Sequence, residues 1–207
     1  MGGSFTTAMS EVKIFNRWST EGIQVADPGL RDYISLVPVI VPKTGARYAK
    51  SRFHKSRISI VERLMNKLMV PGHKSKKHKL TSGQVTGKSQ SAYKIVYDAL
   101  SLIEQRTKQN PIAVLVKAIE NAAPREEIIT IEYGGARYPK ATECSPQRRI
   151  DLALRYITQG PFQKSWNTKK GFVPALAEEI INAYMLSQAS SSVSKKLEIE
   201  RQADTAR

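Results

Sequence analysis

The stretch NPIAVLVKAIENAAPREEIITIEYGGARYPKATECSPQRRIDLALRYI, residues 110–157, decides the fold. Asn110 and Pro111 are the residue types of a helix cap and a first helical position. The apolar run after them predicts a helix that is buried on almost all sides, and Pro124 is expected to end it. Such a helix belongs at the centre of a helical bundle.

The middle of this stretch predicts a β-hairpin over residues 128–142. The runs IITIEY and ARYPKAT flank Gly134 and Gly135, which can supply the positive φ angles of a two-residue turn. Pro139 assigns the second strand to an edge. Aromatic and basic side chains beside the turn favour a protruding arm over a mere connection: Tyr133, Arg137 and Tyr138. A lone hairpin is marginal in water, so it must lean on the helices or on a partner.

The last part of the stretch predicts another helix, beginning at Pro146 and capped at its C-terminus by Gly160. Its first turn holds Arg148 and Arg149, whose positive charges are unfavourable at the positive end of a helix dipole. Cations placed among free N–H groups build a phosphate site. The alternative is a solvent-facing pair that falls there by chance.

Amphipathic helices are also predicted on both sides of this stretch. One follows Ser59, which has capping-box spacing to Glu62, and others cover about residues 91–106 and 172–187. Residues 1–57 lack a helical period and predict an extended N-terminal arm. The tail over residues 188–207 is helix-prone and includes an expected flexible joint at residues 190–192, but it has too few apolar residues to dock strongly.

The charge of the chain is large and local. Its 33 Lys and Arg residues against 18 Asp and Glu give a net charge of +15, which normally needs a polyanionic partner, either nucleic acid or an anionic membrane. Residues 43–88 hold 13 of these cations and one acid, Glu62. We therefore expect the cations to lack partners within the chain.

Two basic segments are the candidate RNA-binding sites. The first interleaves aromatic rings, which stack on bases, with cations, which neutralise phosphates. Its candidate residues are Lys43, Arg47, Tyr48, Lys50, Arg52, Phe53, Lys55 and Arg57. The second is the loop around HKSKKHK, with Lys74, Lys76, Lys77, Lys79 and Lys88. The alternative is that these segments are solvated and disordered. The two interpretations are compatible if the segments are disordered alone and become ordered on RNA.

Nothing in the sequence indicates an enzyme, a cofactor or a metal. Gly83 and Gly87 enclose too few residues for a phosphate-cradling loop, and no Ser, His and acid set suggests nucleophilic catalysis. The single cysteine, Cys144, is expected to be a buried or incidental thiol. No stretch is apolar enough to span a bilayer, and the N-terminus lacks a secretory pattern, which favours a cytoplasmic protein without membrane partners.

Several runs together resemble one known family. IVERLMNKLM, NPIAVLVKAIENAAPRE, the Gly-Gly hairpin, SPQRRIDLALRYI and LAEEIINAY are similar to the universal small-subunit ribosomal protein seven family, called small-subunit protein five in eukaryotes. The likeness covers about residues 12–187, and ADPGL at residues 26–30 looks archaeal. The resemblance implies a mainly α fold: a bundle of about six helices with one protruding β-hairpin and an extended basic arm, the helical domain spanning residues 58–187.

The resemblance also implies a function. Members bind the 3′ major (head) domain of small-subunit rRNA, start assembly of the head among neighbouring ribosomal proteins, and reach toward the exit-site tRNA and the mRNA path. The two basic segments and the pair Arg148 and Arg149 would then contact rRNA. The hairpin tip would lie near the exit site, with Tyr133, Gly134, Gly135, Arg137 and Tyr138. Two alternatives are a helix-turn-helix DNA-binding regulator, although no helix pair has an evident recognition face, and an RNA-modifying enzyme.

Overall fold

The computed structural model describes residues 12–71, 73–74, 77–78 and 87–207. Residues 73–74 and 77–78 are described by their backbone alone. The described residues form seven α-helices and two antiparallel two-stranded sheets. The helices are α1 (Pro28–Arg31), α2 (Ile60–Leu68), α3 (Ser89–Thr107), α4 (Pro111–Ala122), α5 (Pro146–Ser165), α6 (Phe172–Tyr184) and α7 (Ser191–Thr205). The strands are β1 (His73–Lys74), β2 (Lys77–His78), β3 (Glu126–Tyr133) and β4 (Ala136–Glu143). The predicted mainly helical fold with one long hairpin is confirmed.

Helix α4 lies at the centre of the bundle, as predicted. The Asn110 side chain accepts a hydrogen bond from the Ile112 backbone N–H at 3.0 Å, and Pro111 occupies the first turn. Large side chains such as Leu115 and Ile119 are fully buried. The helix packs against α3, α5, α6 and α7, so these helices share one core.

The predicted capping box at the start of α2 is wrong. The hydroxyl of Ser59 is buried without a hydrogen-bond partner in the described part of the chain. Glu62 turns away to accept hydrogen bonds from the backbone N–H and the hydroxyl of Thr44, at 3.0 and 2.6 Å. The Ile60 N–H instead donates to the Ser35 carbonyl at 3.0 Å. Contacts with the N-terminal segment replace the local cap.

Helix α5 does not end at Gly160, as the sequence suggested, but continues through Pro161 to Ser165. A Cβ on Gly160 would lie 1.7 Å from the Ser191 hydroxyl oxygen and 3.0 Å from the Ser191 Cβ. Gly160 therefore permits a close approach between α5 and the start of α7. Phe162, which is buried in the core, helps to hold the extra turn in place.

The start of α7 is a buried cap, and the expected flexible joint at residues 190–192 is wrong. The Glu179 carboxylate, 0% exposed, accepts hydrogen bonds from the Ser190 hydroxyl at 2.7 Å and the Ser192 N–H at 2.9 Å. Lys164 donates to the same carboxylate at 3.0 Å. These polar contacts dock a helix that has only a few buried apolar side chains, such as Val193.

Much of the N-terminal segment has little regular structure, yet it is fastened to the bundle. Beyond α1 it contains two short 3₁₀ turns, Arg47–Lys50 and His54–Ser56. Several of its apolar side chains belong to the common core: Ile14, Phe15, Trp18, Val25, Leu30 and Ile34. The Phe15 ring packs edge-on against Tyr93 of α3, with the centroids 4.8 Å apart. Residues 14–34 of the predicted arm are therefore packed into the bundle, and residues 1–11 lie outside the described residues.

The long hairpin projects from the bundle. Tyr133 pairs with Ala136 across a turn in which Gly134 and Gly135 have φ angles of 58° and 81°, as predicted. Its base contacts α7, where Glu200 accepts a hydrogen bond from the Arg125 N–H at 2.9 Å. Residues 131–140 are exposed throughout. Among the described helices none is long and apolar enough to cross a membrane.

Candidate nucleic-acid interface

The basic segment at residues 43–57 borders an open depression on the surface. Two 3₁₀ turns fold the segment back on itself, and the depression between them has a volume of about 620 Å³. Its walls include Lys43, Thr44, Arg47, Tyr48, His54 and Arg57. The cations on this wall are exposed, whereas the Tyr48 ring is half-buried. The depression therefore combines positive charge with an aromatic surface.

Most cations of this segment have no acidic partner within the described part of the chain. Lys43, Arg47, Lys50, Arg52 and Arg57 are exposed and form no ion pair there. Phe53 is also exposed, at 61%. A concentration of positive charge that its own chain does not neutralise attracts polyanions.

Lys55 is the exception within residues 43–57, and the expectation that the cations of residues 43–88 lack internal partners is wrong for Lys55 and for Arg63. The Lys55 ammonium group forms an ion pair with Asp151 of α5. Asp151 also accepts a hydrogen bond from Arg63 of α2 at 3.0 Å. The acid lies 96 positions further along the chain than Lys55, so the local count of acids could not reveal it. The fold supplies a partner that the neighbouring sequence lacks.

Asp151 anchors the basic segment to two helices. Burial alone would raise the pKa of its carboxyl, but hydrogen bonding to Lys55 and the charge of Arg63 outweigh this, and the pKa is lowered. The carboxylate thus remains ionised. Arg63, although 5% exposed, also donates to the Tyr33 carbonyl at 3.1 Å. Asp151 and Arg63 were not among the predicted site residues.

Two more basic residues beside this anchor were missed by the sequence reasoning. Lys67 lies one helical turn after Arg63 on α2, and Arg155 lies one turn after Asp151 on α5. The spacing of four places each pair on one helix face, and this signal was available in the sequence. The spacing of Arg63 and Lys67 was overlooked because both lie within a stretch that predicts a core-facing helix.

The two arginines at the start of α5 are both engaged within the chain. Arg148 forms a bidentate ion pair with Glu127 of β3, with Nη2 at 2.6 Å from Oε2. Hydrogen bonding to Glu127 raises the pKa of Arg148. Arg149 is 9% exposed, and it contacts Asp27 at 2.7 Å and the Pro124 carbonyl at 3.1 Å. Arg148 is exposed enough to meet a phosphate as well. Phosphate contact at either residue stays a prediction.

The second basic loop is described only in part. The backbones of Lys74 and Lys77 pair in the small β1–β2 sheet, while Lys76 and Lys79 lie outside the described residues. Lys88 is exposed immediately before α3. The predicted role of this loop in binding RNA stays a prediction.

The hairpin tip presents aromatic and polar groups to solvent. Tyr133 is 82% exposed and Tyr138 is 57% exposed. Arg137 lies 3.6 Å from Glu132 in an exposed ion pair, which contributes at most about 1 kcal/mol. Because exposed pairs of this kind are weak, Arg137 is free to exchange its partner for another anion. The predicted tip residues thus lie together at the exposed end of the hairpin.

The described residues offer little for catalysis. Cys144 is buried, and burial raises the pKa of its thiol to about 11, so it is protonated at neutral pH. Within the described ranges, no group of three or more His, Cys, Asp or Glu side chains is placed to hold a metal ion. The features that stand out are positive charge, exposed rings and an extended hairpin.

Comparison with known proteins gives two consistent results. A family model for ribosomal protein S7p/S5e matches residues 30–207. The chain is also 56% identical over 197 residues to the small ribosomal subunit protein uS7 of Nanoarchaeum equitans (strain Kin4-M). That alignment covers 95% of this chain and 100% of the relative.

Proposed function

Since the chain belongs to the ribosomal protein S7p/S5e family, we propose that it binds the 3′ major (head) domain of small-subunit rRNA and nucleates assembly of the head. It is a non-enzymatic component of the small ribosomal subunit and acts in translation in the cytoplasm. The archaeal relative supports the predicted archaeal character of the sequence.

The observation that carries the rRNA-binding proposal is the unneutralised charge at residues 43–57. Lys43, Arg47 and Arg57 line one open depression with the Tyr48 ring, and none of the three has an acidic partner among the described residues. Folded RNA presents closely spaced phosphates and unstacked bases, which match this combination of cations and rings. The loop with Lys74 and Lys77 would extend the contact.

The hairpin supports the second part of the proposal, that the protein contributes to the exit-site region for tRNA and mRNA. Its tip, with Tyr133 and Tyr138, is exposed and takes no part in the buried core. A tip that takes no part in the core can contact a ligand that arrives and leaves during translation. Deleting it should therefore leave rRNA binding largely intact and disturb exit-site function.

Binding measurements with a head-domain rRNA fragment test the main proposal. We expect the protein to prefer this RNA over duplex DNA, with an affinity that falls steeply as salt rises because bound phosphates release counterions. The combined change Arg47→Ala, Lys50→Ala and Arg52→Ala should weaken binding and reduce the salt dependence without changing the unfolding midpoint.

A matched control removes the same charge elsewhere. Lys94, Lys169 and Arg201 are exposed and form no ion pair in the described part of the chain, so changing these three to Ala should affect the affinity much less. Equal losses from both triple variants would show that only net charge matters and would contradict the proposed interface. Equal affinity for rRNA and duplex DNA would favour the DNA-binding alternative.

A further inference from the structure

A second cavity lies between the His54–Ser56 turn, α2 and α5, next to the basic depression. It has a volume of about 230 Å³, and its walls include Tyr48, Lys55, Arg63, Asn66, Lys67 and Asp151. Tyr48 lines both cavities, so they adjoin. The Asn66 amide donates to the Tyr48 hydroxyl at 3.3 Å, which steadies the wall between them.

The charges around this cavity do not balance. Lys55, Arg63 and Lys67 face a single acid, Asp151. Both oxygens of that carboxylate are in use, Oδ1 by Arg63 and Oδ2 by Lys55. Lys67 is left without an ion-pair partner in the described part of the chain, and Arg155 adds a further positive charge nearby. An anion from outside would complete the arrangement.

A second observation points the same way. Arg63 is 5% exposed, and its buried Nε has no hydrogen-bond partner among the described residues. Leaving a buried charged donor unpaired is costly, and such groups are usually satisfied by a ligand, a water molecule or an ion. The side chain that carries this unmet donor forms part of the cavity wall.

We propose that this cavity binds one phosphate group of the RNA backbone, with Lys67 as its main ligand and with Lys55 and Arg63 held beside it by Asp151. The inference rests on the proposed rRNA binding and assigns one phosphate of that RNA to a defined place. Asp151 keeps two cations ordered in advance, so less side-chain freedom is lost when the phosphate enters.

The state of Lys67 supplies a direct readout. Its burial lowers its pKa, Asp151 acts against this, and the positive charges of Arg155, Lys55 and Arg63 lower it further. A phosphate in the cavity reverses the balance, because a nearby negative charge favours the protonated amine. Binding therefore raises the pKa of Lys67, whereas an empty structural cavity would leave it unchanged.

The first experiment follows the lysine side chains of the full chain by NMR during pH titration. Lys67→Gln identifies the resonance by its disappearance. In the free protein Lys67 should titrate below the usual range of a lysine, and adding the head-domain rRNA fragment should move its titration upward. Inorganic phosphate at constant ionic strength forms a separate arm. A response to inorganic phosphate without one to RNA would overturn the proposal, as would no response to either.

The second experiment measures affinity for the same RNA. Lys67→Gln should weaken binding about tenfold, the usual scale for one charged hydrogen bond. The plot of log affinity against log salt should become less steep by about 0.7 to 0.9, the share of one phosphate contact. Lys67→Arg keeps the charge and should retain most of the binding. Lys94→Gln removes one exposed charge from α3 and should change little. Urea unfolding of each variant separates lost contacts from lost structure.

The outcomes distinguish this inference from the proposed function. If the unchanged protein binds rRNA strongly but Lys67→Gln behaves like Lys94→Gln, the cavity holds no phosphate and the function stands. If the unchanged protein shows no preference for rRNA, the proposed function itself fails.

Discussion

Arg149 and Asp27 form an ion pair, with Nη2 and Oδ2 2.7 Å apart, between residues that are 122 positions apart in the chain. The pair joins the N-terminal segment to the first turn of α5. Burial alone would raise the pKa of Asp27, but the hydrogen bonds from Arg149 and from the Gly29 N–H lower it. The arginine that was predicted to bind phosphate fastens the N-terminal segment to α5 at Asp27.

Arg149→Ala should therefore destabilise the protein, and its neighbour provides the control. Removing one partner of a largely buried pair leaves Asp27 unpaired, and we expect a loss of about 2 to 4 kcal/mol in the free energy of unfolding. Arg148 is more than half exposed, so Arg148→Ala should cost at most about 1 kcal/mol. Urea unfolding measures both. Equal losses would contradict the structural role assigned to Arg149.

Glu179→Gln should loosen α7 and alter the acid stability. Burial alone would raise the pKa of Glu179, but donors from Ser192, Ser190 and Lys164 lower it. A carboxyl group whose pKa is lower in the folded state stabilises the fold at pH values above its unfolded-state pKa. This stabilisation is lost as the pH falls through the folded-state pKa. Stability should therefore fall on acidification, and less steeply in Glu179→Gln.

Hydrogen exchange of α7 amides checks the same change near neutral pH, where the variant should exchange faster. Glu178→Gln is the matched control, since Glu178 is 39% exposed in its ion pairs with Lys170 and Arg106. Unchanged protection of α7 in Glu179→Gln would show that the apolar contacts alone hold this helix.

Gly160→Ala should destabilise the protein even though alanine favours helices. In an open helix the change gains about 1 kcal/mol, but here the new methyl group meets the Ser191 side chain. We expect a net loss of about 1 to 3 kcal/mol. Thermal unfolding measures it. Adding Ser191→Gly should recover part of the loss, and a stabilised Gly160→Ala would refute the close contact.

The hairpin turn should tolerate Asn-Gly in place of Gly134 and Gly135 but not Ala-Ala. Both positions have positive φ angles, which Asn and Gly adopt readily and Ala adopts at a cost of about 1 to 2 kcal/mol each. NMR contacts across the Ile131–Tyr138 pair report the register. Loss of these contacts in the Asn-Gly variant, or their full retention in Ala-Ala, would contradict this.

The features that could be predicted depend on short-range chemistry. Asn110 caps α4 through a bond two residues away, and the Gly-Gly turn follows from backbone angles alone. The misread features depend on partners far along the chain. Glu62 was assigned to a local cap but binds Thr44, and Gly160 was assigned to a helix end but accommodates Ser191.

The candidate interface divides in the same way. The basic run at residues 43–57 could be recognised because its composition is unusual, whatever the fold. The cavity around Lys67 could not, because its acid, Asp151, and its cations come from three separate segments. Only packing of α2 against α5 brings them together.

The projecting hairpin also affects the tendency of the protein to self-associate before it meets a partner. Ile129 and Ile131 are 41% and 42% exposed, and no further strand pairs with either outer edge of the hairpin among the described residues. Ribbons of this kind recruit further strands from other molecules. Self-association of the isolated protein should therefore begin at the hairpin, and a partner that covers these edges should suppress it.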